Sequence, residues 1–568
     1  MGNRRRVPLL LAASSLVLLL GTRSTLAIPS ASPVESCPST YDDPYLAFPH
    51  QPRHGHAFVP SDPGNPVHPL LQDIRLPENP TNPAPRPVTA KDRHQLYTPG
   101  RNNSFRTDEF RFQPGRRAKR DKDAKDEHGG VDKRAVVSSV DVPFPPSAWI
   151  DINDLSTIAT LAQAAVARMQ TWYENGVFEW TGWWQTPVLG MAYTNLDLAL
   201  GNQVNELLIK DLLIRNDGLG WMIDKYIDDQ SWWAMFALRA HQAYPNTTWL
   251  NMVETINNNN SLYWTDTCGG GVLWLTYKPM IKNTITNGLY FSILTRLYRY
   301  TGNSTHFDYA MNTLNWWLSW SFEPSNGRVY DTITADWQGQ PMDQCTKTGE
   351  QTWTYNSGAF LFGLADLFYA TGNTKVLDLA RSIAYAAMRD FTDHQTGILT
   401  ESCEHDPPPG PGKPPGCQQD ETVFKGIFLL GLAELYVARP DPNIYNFVNT
   451  QLLSNAFNNL DDTWLFGMWW GGPWNVTTAG PKTQINALCL LSAAAMINAD
   501  YLSAAGQKTA VPSVTDQIKV PESTATGEAG STNRDGAVNG AGRASEWAGA
   551  TAVVALAMVV GGVGVLWA

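Results

Sequence analysis

The run WMIDKYIDDQSWWAMFAL carries three carboxylates, Asp224, Asp228 and Asp229, immediately ahead of an apolar stretch. Two neighbouring carboxyl groups can divide the work of breaking a glycosidic bond, one delivering or removing a proton and the other attacking. Carboxyls held close together also split their pKa values, which keeps one protonated as the acid. Adjacent residues at a helix start can reach the spacing of about 5–5.5 Å that a retaining pair needs. Asp-Asp has an ordinary use as well: it caps a helix and sits favourably at the positive end of the helix dipole. The context favours chemistry, because Trp232-Trp233 follows and the apolar helix behind it is of the kind that lines a site.

Tryptophan is the second signal. Of 22 tryptophans, 19 lie between Trp172 and Trp474, many in doublets, and a core does not need that many indoles. Trp316-Trp317 falls within a helical pattern and reads as packing. Trp183, Trp184, Trp469 and Trp470 fall in loops, where a flat aromatic face can stack on a sugar ring.

These residues need a scaffold, and the pattern from Trp149 onward is helical. Leu155, Ile158, Ala162, Ala165, Met169 and Trp172 follow a helical period, with Asn153 or Asp154 placed as the cap. An internal repeat is more informative. FSILTRLYRYTGN, ending at Asn303, resembles FLFGLADLFYATGN, ending at Asn373; Leu297 and Leu367 align, and a third copy, FLLGLAELYVARPDPN, brings Leu435 into line. Each copy is followed by another amphipathic segment and then a loop rich in Gly, Asp and aromatics: NGRVYDTITADW, QTGILTESCEHD, LFGMWWGGPW. Helix, turn, helix and long loop at this period mean paired helices around a common axis. The apolar segments fill about six pairs, so an all-α (α/α)6 toroid spanning residues 143–505 is expected, its loops gathered at one end. The alternative, an open solenoid, would need polar end caps, and none is evident.

The flanks differ. Met1 to Ala27 combines Arg4, Arg5 and Arg6 with a short apolar run and a small-residue cleavage site, the pattern of a secretory signal peptide. Gly2 lacks the downstream Ser or Thr of a myristoylation motif. Residues 28–142 are rich in Pro, Asn and charge and are expected to be largely disordered. Within them the dibasic pairs Lys119-Arg120 and Lys133-Arg134 are either a plain charge run or, after Arg134, the processing site of a pro-segment. Residues 506–539 read as a Ser/Thr/Gly stalk. Asn539-Gly540-Ala541, a short spacer and an apolar tail to Ala568 form a GPI-attachment signal, with Asn539 as the attachment residue and 540–568 removed. Gly536-Ala537-Val538 is a weaker second site. A tail-anchored helix would normally carry a basic residue after the tail, and none follows.

An exported chain should carry glycans and disulfides. Sequons occur at Asn102, Asn246, Asn259, Asn303 and Asn475. Of the six cysteines, Cys403 and Cys417 bracket the loop DPPPGPGKPPG and are expected to pair; Cys268 with Cys345 is the next pairing, and Cys489 reads as a buried free thiol. No closely spaced Cys or His pair suggests a metal, no cofactor is expected, and a net charge of -11 argues against a nucleic-acid partner.

Asp228-Asp229 with Trp232-Trp233, Cys268-Gly269-Gly270-Gly271, the stretch from Lys282-Asn283-Thr284 to Gly288, Trp353-Thr354-Tyr355-Asn356 and the segment Gly467 to Pro473 together resemble glycoside hydrolase family 76, the α-1,6-mannanases. The likeness is greatest to the fungal GPI-anchored branch that acts at the cell wall. It implies an (α/α)6 fold and a retaining mechanism, with Asp228 as nucleophile and Asp229 as acid/base. It also implies cleavage of α-1,6-mannose in mannan or in the GPI core, with β-glucan as a possible acceptor. Asp224, Trp232, Asn287, Trp353 and Tyr355 are expected to join Trp183, Trp184, Trp469 and Trp470 in contacting substrate. The protein is expected to act as a monomer, held to the membrane through a GPI lipid. A plain mannan-degrading enzyme and a mannan-binding wall protein without activity are the rival readings. An intact aspartate pair speaks against the second.

Overall fold

Twelve helices alternate between two concentric rings in the computed structural model, which describes residues 67–75, 150–218, 221, 225–276, 281–334, 345–347, 351–408, 413, 415–417 and 419–504. They are α1 (Leu155–Gln170), α2 (Gln185–Leu200), α3 (Glu206–Asp217), α4 (Ile227–Ala243), α5 (Thr247–Ser261) and α6 (Thr284–Thr301). The second half comprises α7 (Ser304–Trp320), α8 (Thr354–Thr371), α9 (Thr374–Asp390), α10 (Phe424–Ala438), α11 (Pro442–Asn458) and α12 (Pro481–Ala504). The even-numbered helices pack in sequence, α2 on α4, α4 on α6 and onward, and α12 returns to α2, so the inner ring closes. Odd-numbered helices form the outer ring. This is the expected (α/α)6 toroid.

Local sequence explains each turn of the pattern. Asp154 caps α1 by accepting from the Ser156 amide. The repeated Thr-Gly-Asn ends an inner helix and starts an outer one. Gly302 and Gly372 take the left-handed conformation (φ 67° and 66°) that stops α6 and α8. Asn303 and Asn373 then cap α7 and α9. In the third copy, Asp441 and Pro442 start α11 in their place. Inner helices are buried on nearly every face, which is why α10 reads as an almost unbroken apolar run. Where α8 and α10 cross, glycine faces glycine: a Cβ on Gly431 would lie 2.5 Å from the Gly358 carbonyl oxygen.

The end formed by the C-termini of the inner helices is closed by charge. Arg239 of α4 and Arg296 of α6 meet Glu434 of α10 at 3.1 and 3.3 Å, and Arg296 meets Asp366 of α8 at 2.6 Å. Asn195 of α2 accepts from Arg239, and the sulfur of Met496 in α12 lies 3.3 Å from the same guanidinium. All six inner helices therefore contribute to one buried hub.

Among the described residues three small antiparallel sheets decorate the loops: β1 (Tyr173–Glu174) with β2 (Val177–Phe178), β4 (Phe322–Glu323) with β5 (Arg328–Val329), and a three-stranded sheet of β3 (Ile281–Asn283), β6 (Thr332–Thr334) and β7 (Thr346–Lys347). Both expected disulfides, Cys268–Cys345 and Cys403–Cys417, are formed, and Cys489 is a buried free thiol. Asn246, Asn259, Asn303 and Asn475 are all partly exposed. Helix α12 is apolar and long enough to cross a membrane by composition, but it is an inner helix of the ring and mostly buried.

One piece of the N-terminal stretch is folded. Residues 67–75, inside the segment expected to be largely disordered, include a short 3-10 turn at Pro69–Leu71, and Leu71 and Ile74 join the core of the toroid. The signal peptide, Asn102, the dibasic pairs, Cys37, the stalk and the attachment residue Asn539 lie outside the described residues.

Candidate active site

The inner helices all begin at the end opposite the charged hub, and the aspartate pair stands there. Asp228 and Asp229 occupy the first turn of α4, half-buried, where the free amides of the helix start favour negative charge. The backbone leading into them is fixed from the side. Tyr226 bridges to Leu275, the Ile227 amide donates to Trp274 O at 2.9 Å, and the Tyr226 ring stacks on Trp274 at 5.0 Å.

That supporting segment is itself clamped by the Lys282–Gly288 stretch. Lys282, fully buried, donates to the carbonyls of Thr265, Thr267 and Gly270 at 2.5–2.8 Å. Burial pulls its ammonium down to about 7, against a smaller opposing pull from Asp266. Asn283 caps α6, and Asn287 grips Val272 twice, accepting from its N–H and donating to its C=O. The structure thus gives Asn287, expected at the substrate, a different task. Its carboxamide is buried and holds the turn next to the Cys268–Cys345 disulfide.

Tyr355 stands in the first turn of α8, at the same end of the ring. Its phenol is raised well above the ordinary range by burial first, then by the charges of Asp331, Asp228, Asp420 and Glu401. Acidic side chains from four different segments therefore act on one hydroxyl, which stays protonated. Asp331 accepts from Asn356 at 2.6 Å. Asp420 accepts from Gln185 at 3.0 Å and lies 3.5 Å from Lys482, tying the starts of α2 and α12 together. Glu401 is buried and accepts from the Thr354 amide, capping α8 from outside the helix. Beneath it Glu404 and Lys425 form a fully buried ion pair, with the ammonium also 4.3 Å from the centre of the Trp470 ring.

Aromatic rings line this mouth. Tyr355 stacks on Phe424 at 3.7 Å, Trp353 meets the same ring edge-on at 5.7 Å, and Trp184 stacks on Trp232 at 5.8 Å. Trp469 donates to Glu404 O and packs, with Trp353, on the Cys403–Cys417 disulfide. Trp353, Tyr355 and Trp469 are half-buried. Trp183 is half-buried too, packs on Trp221 and Trp233 and donates to Asn216. Trp232 and Trp470 are 1% and 0% exposed, so the expectation that they contact substrate is corrected: both serve the core. Trp184, at 8%, offers little more. Asp224 lies outside the described residues. Among the described residues, no group of three or more His, Cys, Asp or Glu side chains is arranged to hold a metal ion.

Sequence reasoning passed over Asp331, Asp420 and Glu401. The available signal was the Asp- and Glu-bearing loops after each helix pair, which the toroid brings to one end.

A closed ring of six helical hairpins, with carboxylates and aromatics collected at one mouth, defines the class of protein. Within that class the chain belongs to glycosyl hydrolase family 76, whose sequence profile matches residues 153–505. It is similar to mannan endo-1,6-alpha-mannosidase DCW1 of Saccharomyces cerevisiae, 31% identical over 268 residues, or 44% of this chain and 56% of that one. A Candida albicans protein of the same name is 24% identical over 334 residues, covering 53% of this chain and 71% of its own. The chain spans about half the length of the curated relatives it matches first, 56% and 51%. Among solved structures, an α-1,6-mannanase of Salegentibacter aligns with a TM-score of 0.52 at 20% identity, over 60% of this chain and 99% of that one. Dfg5 of Chaetomium thermophilum, in complex with glucosamine, aligns at 0.54 and 21%, over 62% and 93%. At these identities the likeness speaks for the fold.

Proposed function

We propose that the protein is a retaining endo-α-1,6-mannosidase or mannosyl transglycosylase, with Asp228 as nucleophile and Asp229 as acid/base. The observation that carries this reading is the adjacent aspartate pair in the first turn of an inner helix, at the end of the ring where the half-buried Trp353, Tyr355 and Trp469 also stand. Two facts about relatives support it. The curated fungal relatives are named mannan endo-1,6-alpha-mannosidases. The Salegentibacter enzyme is inactive when two adjacent aspartates are replaced, and was obtained with α-1,6-mannotriose.

In this reading the Asp228 carboxylate attacks the anomeric carbon of a mannose as the bond to the glycosidic oxygen breaks, and Asp229 delivers its proton to that oxygen. A mannosyl ester of Asp228 remains. Asp229, now a carboxylate, takes a proton from water or from an acceptor hydroxyl, and that oxygen displaces Asp228. Water gives hydrolysis; a hydroxyl of β-glucan gives transfer. The natural donor is mannan or the mannose core of a GPI glycan, and the protein works outside the cell, tethered through a GPI lipid at Asn539.

The test is to follow α-1,6-mannooligosaccharide cleavage by NMR, with and without a β-glucan acceptor. The first product should carry the α configuration, and a mannosyl-glucan adduct should form when acceptor is present. A first product of β configuration would remove the retaining assignment; no turnover of α-1,6-linked donors would remove the activity. Deleting residues after Asn539 should release the protein into the medium. Continued cell association of that truncated chain would remove the tether.

A further inference from the structure

We infer that residues 67–75 are a docking peptide and that the outer surface across α7 and α9 is its receptor, holding the N-terminal segment to the toroid independently of the chain between them. The segment HPLLQDI is built to sit there. Pro69 opens a single 3-10 turn, and the His68 side chain caps it by accepting from the Leu70 amide. This turn places Leu71 and Ile74 on one side, where they are 1% and 2% exposed within the toroid's own core. Burying two aliphatic side chains is the main attraction.

Polar contacts then set the register. The His68 amide donates to the buried Asn315 of α7 at 2.7 Å, and the Asp73 carbonyl accepts from Asn373 at 3.0 Å. Lys375, two residues further along α9, pairs with the Asp73 carboxylate and holds it below the usual carboxylate range. Both charges are more than half exposed, so this pair guides the peptide more than it holds it. Asn373 does two jobs: its Oδ1 caps α9 at Lys375 while its Nδ2 grips the segment. Its counterpart in the preceding repeat, Asn303, is followed by Ser304-Thr305 and forms a sequon. Asn373 is followed by Thr374-Lys375 and does not, which leaves its amide nitrogen for the peptide.

The dibasic pairs Lys119-Arg120 and Lys133-Arg134 lie between the docked peptide and the first helix. Cutting there would leave residues 67–75 held to the toroid through these contacts and not through the chain, in a protein of two pieces.

The experiment replaces residues 128–134 of the full chain with a site for a sequence-specific protease. The protein is cut to completion and the pieces are separated by size exclusion at tens of micromolar. The N-terminal fragment should travel with the toroid. Leu71→Asp with Ile74→Asp should free it, and the toroid left behind should still unfold in one cooperative transition, at a somewhat lower temperature. Lys375→Glu should weaken retention several-fold, and combining it with Asp73→Lys should restore it. Separation of the wild-type fragment after cutting would overturn the inference. So would retention of the fragment carrying both aspartate substitutions, which would put the attachment elsewhere.

Discussion

Arg296 Nε donates to Asp366 Oδ2 at 2.6 Å, joining two residues that hold the same place in successive copies of the repeat. Glu434 holds that place in the third copy and reaches back to both Arg296 and Arg239. Each member precedes the aligned leucines 297, 367 and 435, so the charges recur with the helix pairs that bring them together. The hub closes the end of the ring away from the candidate site.

Asp366→Asn should therefore act on stability and leave the mouth intact. It strands Arg296 with only Glu434 as a charged partner, in a place almost without water. Removing one partner from a buried ion pair costs about 3–5 kcal/mol. Chemical denaturation should read a loss of that order, while turnover per folded molecule stays near the parent value. An unchanged unfolding midpoint would mean that the hub contributes nothing to closure.

The crossing of α8 and α10 supplies a test in which two effects oppose each other. In a helix, Gly→Ala ordinarily gains about 1 kcal/mol from propensity. At Gly431 the new Cβ would stand 2.5 Å from the Gly358 carbonyl oxygen and 2.9 Å from its Cα, and neither backbone atom can swing away. Overpacking of this kind costs about 1–3 kcal/mol. Gly431→Ala should lower the melting temperature; a rise would mean that the helices stand further apart.

Glu401 links the site's frame to pH. Burial pushes its carboxyl up to about 8, with the charge of Glu404 adding and the Thr354 donors opposing. Between about 4.5 and about 8 the folded chain holds a proton there that the unfolded chain has released. Stability from this group is thus greatest below 4.5 and declines as the pH rises through that window. Glu401→Gln keeps an acceptor for Thr354 and removes the titration. Its unfolding free energy relative to the parent should climb by on the order of 1–3 kcal/mol from about pH 5 to pH 8. A difference that stays flat with pH would show that Glu401 is ionised in the fold.

What could be read from the chain was whatever local period and spacing encode. The Thr-Gly-Asn ends of the repeat announced where α6 and α8 stop, and the loop bracketed by Cys403 and Cys417 announced its own disulfide. Asp228-Asp229 was visible because both members are adjacent. Asp331, Asp420 and Glu401 were not, because only closure of the ring brings their loops to Tyr355. Trp232 and Trp470 misled because an indole's type says nothing of which way it faces. Nor could composition single out residues 67–75, where two aliphatic side chains suffice once a receptor surface exists.

The aspartate pair separates capping from catalysis. Were Asp228 and Asp229 mere helix-start residues, Asn would serve about as well as Asp. As nucleophile and acid/base they cannot be so replaced, since Asn neither attacks an anomeric carbon nor delivers a proton. Loss of general acid–base assistance typically costs about 10²–10⁴-fold in rate. Asp228→Asn and Asp229→Asn should each melt like the parent and lose activity on α-1,6-mannose donors. They should differ on an activated donor, whose leaving group departs without a proton. Asp229→Asn should keep part of its first step there, seen as a burst of leaving group. Asp228→Asn should show none, because the group that would form the ester is gone. Near-normal turnover by either variant would sink the assignment, and a burst from Asp228→Asn alone would reverse the two roles.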